Sequence, residues 1–106
     1  MQTKTEATID LRLPRLVQAR EAVQPVLERA EVPQDLDGRT LRVVCRDLAS
    51  ASPSFSDELV RVVLQERRAG RLLVVNPPQG FHDHLGAAAT KYGVVANLTF
   101  GDSETG

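Results

Sequence analysis

The chain has 106 residues, of which 42% are hydrophobic and 25% are charged. This length and composition are typical of one globular domain with a packed core, and they leave no room for a second domain of ordinary size. Thirteen basic and fourteen acidic side chains give a formal net charge of −1 at pH 7. A general binder of the nucleic acid backbone needs a basic excess, so nucleic acid is an unlikely partner.

The first predicted strand covers residues 8–13, where apolar and polar side chains alternate as they do in a half-buried strand. After Pro14, apolar residues recur at helical spacing over 15–30 and predict an amphipathic helix. Pro25 must bend that helix or end it early. A stretch rich in turn formers then leads into a second predicted strand over 39–45.

The second predicted helix covers residues 54–69. Apolar and other residues that recur at helical spacing from Phe55 to Glu66 are predicted to face the core. Gly70 is placed to end the helix. A continuous apolar run over 72–75 follows and is typical of a central strand. This segment therefore supplies a helix and the third strand.

A third helix is predicted over residues 81–92, with Gly93 in position for a left-handed cap. Alternation over 94–100 predicts a fourth strand, and residues 101–106 have the composition of a flexible tail. The order β-α-β-α-β-α-β predicts an α/β fold with a four-stranded, mostly parallel sheet and three helices. We expect residues 1–100 to form a single domain.

The cysteine and the hydropathy pattern bear on the cellular compartment. Cys45 lies in an apolar run and is predicted to be a core side chain, and one cysteine cannot form an internal disulfide. Residues 1–6 lack the apolar stretch of a secretory signal, and no segment approaches the ~20 apolar residues that span a bilayer. We therefore expect a cytoplasmic protein that does not bind a membrane.

The loop before the second helix is the most unusual part of the chain. It carries four serines: Ser50, Ser52, Ser54 and Ser56. Two helix starts compete, one with Ser52 as N-cap and Pro53 at the first helical position, the other with Ser54 and Asp57 as a capping box. A helix start at the carboxyl end of a parallel strand can hold an anion, so residues 52–56 are a candidate site for a small molecule or nucleotide.

The block Ser52-Pro-Ser-Phe-Ser-Asp-Glu-Leu59, after a strand ending Val43-Val-Cys-Arg-Asp47 and before Leu72-Leu-Val-Val-Asn76, resembles the STAS-like domains of unknown function. These are relatives of the sulfate transporter and anti-sigma factor antagonist fold, and the resemblance covers roughly residues 8–98. In the antagonists, a serine at this helix start is phosphorylated by a partner kinase with a histidine-kinase-type ATPase fold. Phosphorylation causes that partner to dissociate.

The resemblance implies a regulatory module that binds a protein partner, in its sharpest form a histidine-kinase-type ATPase. It places the partner surface on the loop and the second helix. The implied surface residues are Asp47, Ser50, Ser52, Ser54, Ser56, Asp57, Glu58 and Arg61. Ser54 is the candidate phosphorylation site, although Ser52-Pro53-Ser54-Phe55 stands where the antagonists carry Asp-Ser-Ser-Gly. A phosphate would add about −1.5 to −2 charges beside Asp57 and Glu58 and so break a matched contact. We expect Asp57, Glu58 and Arg61 to be exposed.

Other chemistry has less support in the sequence. His82 and His84 are two residues apart on a helix and point in different directions, so we predict no metal site. Asp47 follows the second strand, but the first strand lacks the acidic pair of a response regulator, so we predict that it bonds local backbone. Dinucleotide, P-loop and hydrolase motifs are missing, and we predict no enzymatic activity and no cofactor.

Two further expectations concern surfaces. Arg61, Arg67, Arg68 and Arg71 argue for an anionic partner only locally, and we expect them on a solvated helix face and its last turn. The outer strands, 8–13 and 94–100, are candidates for pairing with another copy of the chain. Homo-oligomerisation through these strands is therefore a further prediction.

Overall fold

The computed structural model describes residues 8–101. Its helices and sheet strands are β1 (Thr8–Arg12), β2 (Leu16–Val17), α1 (Val23–Arg29), β3 (Thr40–Val44), β4 (Ser50–Ala51), α2 (Pro53–Val60), β5 (Arg71–Val75), α3 (Gln79–Tyr92) and β6 (Leu98–Gly101). Gly101 ends β6, and the rest of the predicted tail lies outside the described residues.

Four strands form one parallel sheet in the order β1-β3-β5-β6, which confirms the predicted α/β fold. Each crossover connection steps one strand further in the same direction. Because such crossovers share one hand, they place their helices on the same face of the sheet. As predicted, β5 is a central strand, and β1 and β6 are the two outer strands.

The hydrophobic core lies between that face and the helices. Across the sheet, Leu11, Val43, Val74 and Phe100 occupy one row. The first three are buried in the same cluster as residues of all three helices. Phe55 of α2 and Phe81 of α3 are fully buried there, with ring centroids 6.4 Å apart. The α2 helix contacts both α1 and α3, so it forms the middle of the helical layer.

The first helix begins later than the sequence predicts. Residues 16–17 form the short strand β2, residues 20–22 form a 3-10 turn, and α1 starts only at Val23. Pro25 therefore lies in the first turn of α1, where its missing N–H removes no helical hydrogen bond. The prediction of one helix over 15–30 is wrong because the strand pairing with β4 overrides the helical spacing.

The second helix changes its hydrogen-bond pattern halfway. From Arg61 to Glu66 it continues as a π-helix, and the Arg67 amide bonds to the carbonyl oxygen of Val62 at 2.8 Å. A π-turn adds a residue to the turn and so rotates everything after it. Arg67 consequently takes the inward position that the sequence pattern assigns to Glu66, and Glu66 is exposed.

The end of this helix also differs from the prediction. Arg68 has a left-handed φ of 59°, so the turn that ends the helix falls there and not at Gly70. Gly70 instead lies against the segment before β3, where its amide bonds to the carbonyl oxygen of Arg39 at 2.8 Å. A β-carbon at Gly70 would lie 3.4 Å from that oxygen. The glycine therefore permits close approach of two backbones.

The third helix ends as predicted, because Gly93 has a φ of 71° in the left-handed region. The fourth sheet strand is shorter than predicted. Residues 95–97 form a 3-10 turn, and only Leu98–Gly101 pairs with β5. No helix within residues 8–101 has the length and apolar character needed to cross a membrane.

Candidate functional site

A two-residue parallel ribbon fixes the position of the serine-rich loop. Leu16 and Val17 of β2 pair with Ser50 and Ala51 of β4. The Ser52 amide then donates to the carbonyl oxygen of Val17 at 2.9 Å. This ribbon, which the sequence does not reveal, brings the chain from the end of β3 to the start of α2 without a long free loop.

The start of α2 resolves the two competing predictions. Ser52 is the N-cap, and its Oγ accepts a hydrogen bond from the Phe55 amide at 3.0 Å. Pro53 takes the first helical position. The capping box of Ser54 and Asp57 is therefore wrong, because those residues are already inside the helix.

Replacing Ser52 with alanine should destabilise the protein by about 1 kcal/mol, because the Phe55 amide loses its acceptor. Urea denaturation of Ser52→Ala measures this loss. Ser50→Ala is the matched control, since Ser50 is exposed and does not cap the helix. Equal stability of Ser52→Ala and wild type would contradict the assigned cap.

The helix start has little capacity left for an anion. Pro53 has no N–H, and the Phe55 amide is held by Ser52. The Ser56 amide and hydroxyl both donate to the Ser52 carbonyl oxygen, at 3.1 and 3.0 Å. Within the described part of the chain, Ser54 alone keeps an unpaired amide in this first turn. The proposed anion site at residues 52–56 thus lacks the several converging donors that such sites use.

A charged network covers the flank of α2 below its start. The Asp57 carboxylate accepts hydrogen bonds from the Tyr92 hydroxyl at 2.5 Å and from Lys91 Nζ at 2.9 Å. Glu58 accepts two from Arg61, at 3.1 and 2.7 Å, and one from Arg20 at 2.8 Å. Arg61 also donates to Glu66 at 3.0 Å. We call these residues the α2 flank network.

The network shifts the titration of its members. The Tyr92 hydroxyl, assisted by Lys91, lowers the pKa of Asp57, while Arg61 and then Arg20 lower the pKa of Glu58. The reciprocal hydrogen bond with Asp57 raises the pKa of Tyr92 and that of Lys91. Both carboxylates are therefore held ionised beside fixed cations.

Acid should weaken the fold through this network. Because folding depresses both carboxyl pKa values, their contribution is present above the ordinary values of 3.8 and 4.5 and is lost as pH falls below them. We expect urea midpoints to drop between pH 5 and pH 2 by less in Asp57→Asn/Glu58→Gln than in wild type. Glu28→Gln, at an exposed position on α1, serves as the control and should follow wild type. An acid loss identical in all three proteins would rule out this contribution.

The predicted partner residues divide into three groups. Asp47, Ser50 and Ser54 are exposed, and Ser52 is half-buried at the cap. Ser56 is fully buried, so its predicted place on the surface is wrong; its hydroxyl faces the preceding turn. The prediction that Asp57, Glu58 and Arg61 are exposed is also wrong. Their side chains are only 16%, 16% and 34% exposed because the α2 flank network folds over them.

Three residues that sequence reasoning missed complete the network: Arg20, Lys91 and Tyr92. Each lies 34 or more positions from its carboxylate partner, so local spacing does not connect them. The signal that the sequence offers is one of position, because Lys91 and Tyr92 occupy the last turn of the predicted third helix. Its packing against the second helix brings them to Asp57.

A shallow cavity of about 160 Å³ lies beside the start of α2. Pro53 and Asp57 form one wall, and His84, Ala87 and Lys91 of α3 form the other. The Nδ1 atom of His84 is buried without a hydrogen-bond partner within residues 8–101. The other predicted histidine, His82, is exposed and stacks on Phe100 with ring centroids 4.0 Å apart.

Cys45 is buried, as predicted, and burial raises the pKa of its thiol to about 12. Such a thiol is neutral at physiological pH and is a poor nucleophile. Asp47 lies two residues further on and lines a cleft against α1, away from the cavity that Asp57 lines. The predicted site residues therefore fall on two separate surfaces.

Comparison of the chain with family models, with curated proteins and with solved structures finds no match in any of the three.

Proposed function

We propose that this chain is a regulatory module that binds a protein partner in the cytoplasm through the start of α2. We call the contact region the tip surface and define it as Ser50, Pro53, Ser54, Asp57 and Lys91. The observation that carries the proposal is that Pro53 and Ser54 stand exposed at the start of a helix whose neighbouring charges are already fixed in place.

The fixed charges favour a specific contact. Asp57 is held by Tyr92 and Lys91, so its position changes little when another molecule arrives. Groups that are ordered before binding lose less conformational entropy on binding. Charges arranged in this way also select partners of complementary charge and discriminate against others. The tip surface thus has a defined shape and a defined charge pattern.

The resemblance to STAS-like domains supports the class of partner. In the anti-sigma factor antagonists, the helix start equivalent to Ser52–Phe55 contacts a histidine-kinase-type ATPase. Ser54 is the exposed serine of this helix start and its hydroxyl is accessible to a kinase. We therefore propose an ATPase of that type as the partner and Ser54 as the residue it phosphorylates.

A phosphate at Ser54 would act through charge. Ser54 precedes Asp57 and Glu58 by three and four positions, so their side chains lie on the same side of α2. The helix start tolerates the new negative charge, so the fold is preserved. A partner matched to the unmodified tip surface would meet extra negative charge and lose affinity.

The test is affinity purification from the organism of origin with three baits: wild type, Ser54→Glu and Gln34→Glu. Gln34 is exposed on the loop before β3, at the opposite end of the sheet, so the substitution Gln34→Glu adds the same charge at that end. We expect wild type and Gln34→Glu to retain a histidine-kinase-type ATPase and Ser54→Glu to lose most of it. Equal retention by all three baits would contradict the tip surface, and purification of no such ATPase would contradict the partner.

A further inference from the structure

A cleft of about 550 Å³ lies between α1 and the segment from Arg12 to Val17. We call it the α1 cleft. β1 ends at Arg12, and after Pro14 the chain forms β2, while α1 begins only at Val23. From α1 itself, Pro25, Val26 and Arg29 line the cleft, and the small side chains of Ala22 and Ala30 line it just before and just after the helix.

The walls of the α1 cleft are mainly apolar. Leu13, Leu16 and Val26 line it, and the Leu16 side chain is 55% exposed. A single exposed leucine is ordinary on a protein surface. Here, however, the leucine is part of a concave apolar wall whose volume falls in the range of small-molecule sites. Covering this wall would remove apolar surface from water.

Charge is concentrated at the rim. Arg12 and Arg29 line the α1 cleft, and neither has a carboxylate partner in the described part of the chain. Asp47 lies on the same cleft and likewise has no cation partner among residues 8–101. The rim therefore carries two positive groups and one negative group, a net charge of +1. Guanidinium groups bind carboxylates with strong, directed hydrogen bonds.

We infer that the α1 cleft binds a small amphipathic monoanion, with an apolar body against Leu16 and Val26 and a carboxylate at Arg12 and Arg29. Asp47 disfavours a dianion such as a phosphate monoester, because it leaves only one uncompensated positive charge. The inference rests on the cleft alone, so it stands or fails independently of the partner surface at the start of α2.

The test is an NMR titration of the full chain with decanoate, below its micelle concentration, alongside decanol and decyl phosphate. We expect saturable decanoate shifts at the amides of Leu16, Ala22 and Val26. Decanol and decyl phosphate should each bind at least ~10-fold more weakly, since the first lacks the carboxylate and the second carries excess charge.

Substitutions test the charged part and the apolar part of the site separately. Arg12→Gln/Arg29→Gln should weaken decanoate binding at least ~10-fold, because the charge-assisted hydrogen bonds are lost. Leu16→Glu should abolish binding. Both changes are at exposed positions, and Arg39→Gln, an exposed arginine before β3, is the matched control that should bind as wild type does.

Four results would overturn the inference: no saturable decanoate binding, shifts confined to other surfaces, equal binding of decanol, or full affinity in the double arginine variant. Tighter binding of decyl phosphate than of decanoate would overturn the proposed preference for a monoanion. If decanoate does not bind and Leu16→Glu weakens a protein complex instead, the cleft is a protein contact and the small-molecule site is wrong.

Discussion

Phe55→Ala should destabilise the protein by about 3–5 kcal/mol, the cost of removing a fully buried phenylalanine from a packed core. Phe55 is inaccessible to solvent and packs beside Phe81, so it joins α2 to α3 in the helical layer. Truncation leaves a cavity that the parallel sheet beneath cannot close by a small shift. Urea denaturation followed by circular dichroism measures the loss.

Phe55→Leu is the matched control for this prediction, because it keeps most of the apolar volume. It should cost no more than about 1.5 kcal/mol. The difference between the two variants then reports the cavity and not the loss of the aromatic ring alone. A cost below about 1 kcal/mol for Phe55→Ala would mean that α2 and α3 are not joined at this position.

Arg67→Met should destabilise the protein by about 2–4 kcal/mol. Arg67 is only 3% exposed. Its guanidinium donates to the carbonyl oxygens of Val32 and Pro33, at 3.1 and 3.2 Å, and to the side chain of Gln24 at 3.2 Å. Methionine fills similar space but leaves the two carbonyl oxygens without their donor.

The neighbouring arginine provides the control. Arg68 is exposed, and its contact with Asp35 at 3.5 Å is a surface pair. Arg68→Met should therefore change stability by less than about 0.5 kcal/mol. The expectation that Arg67 and Arg68 share one solvated surface is wrong for Arg67. Equal effects of the two substitutions on the urea midpoint would contradict the buried role of Arg67.

The parts of the fold that sequence predicts well are those fixed by local chemistry. Alternating or continuous apolar runs locate the core of every strand in the parallel sheet. Gly93 marks the end of α3 because a left-handed residue is needed there, and Ser52 with Pro53, one of the two predicted alternatives, marks the start of α2. These signals lie within a few residues of the feature that they specify.

The parts that sequence predicts poorly depend on distant partners. The helical spacing over 15–22 does not form a helix because Leu16 and Val17 pair with β4, more than 30 positions away. The π-turn that rotates Arg67 inward has no local signature. The inward position of Arg67 is stabilised by hydrogen bonds that its guanidinium donates to carbonyl oxygens of the segment after α1.

The candidate site shows the same division. Spacing alone identifies a helix start rich in serines, and Ser54 is indeed exposed there. It cannot show that Asp57 meets Tyr92 and Lys91, because those residues come from another helix. A helical wheel places Asp57 and Glu58 in solvent, but ion pairs with Lys91 and Arg20 from other elements partly cover them.

Site-specific photocrosslinking in the organism of origin tests the partner-binding role of α2 most directly. A photoreactive phenylalanine analogue is placed at Ser54 in one protein and at Gln34 in a second, both exposed positions at opposite ends of the sheet. We expect one ATPase of the histidine-kinase type to be captured from position 54 and not from position 34. Capture of the same protein from position 34 alone, or equally from both positions, would place the contact elsewhere and contradict the proposed role.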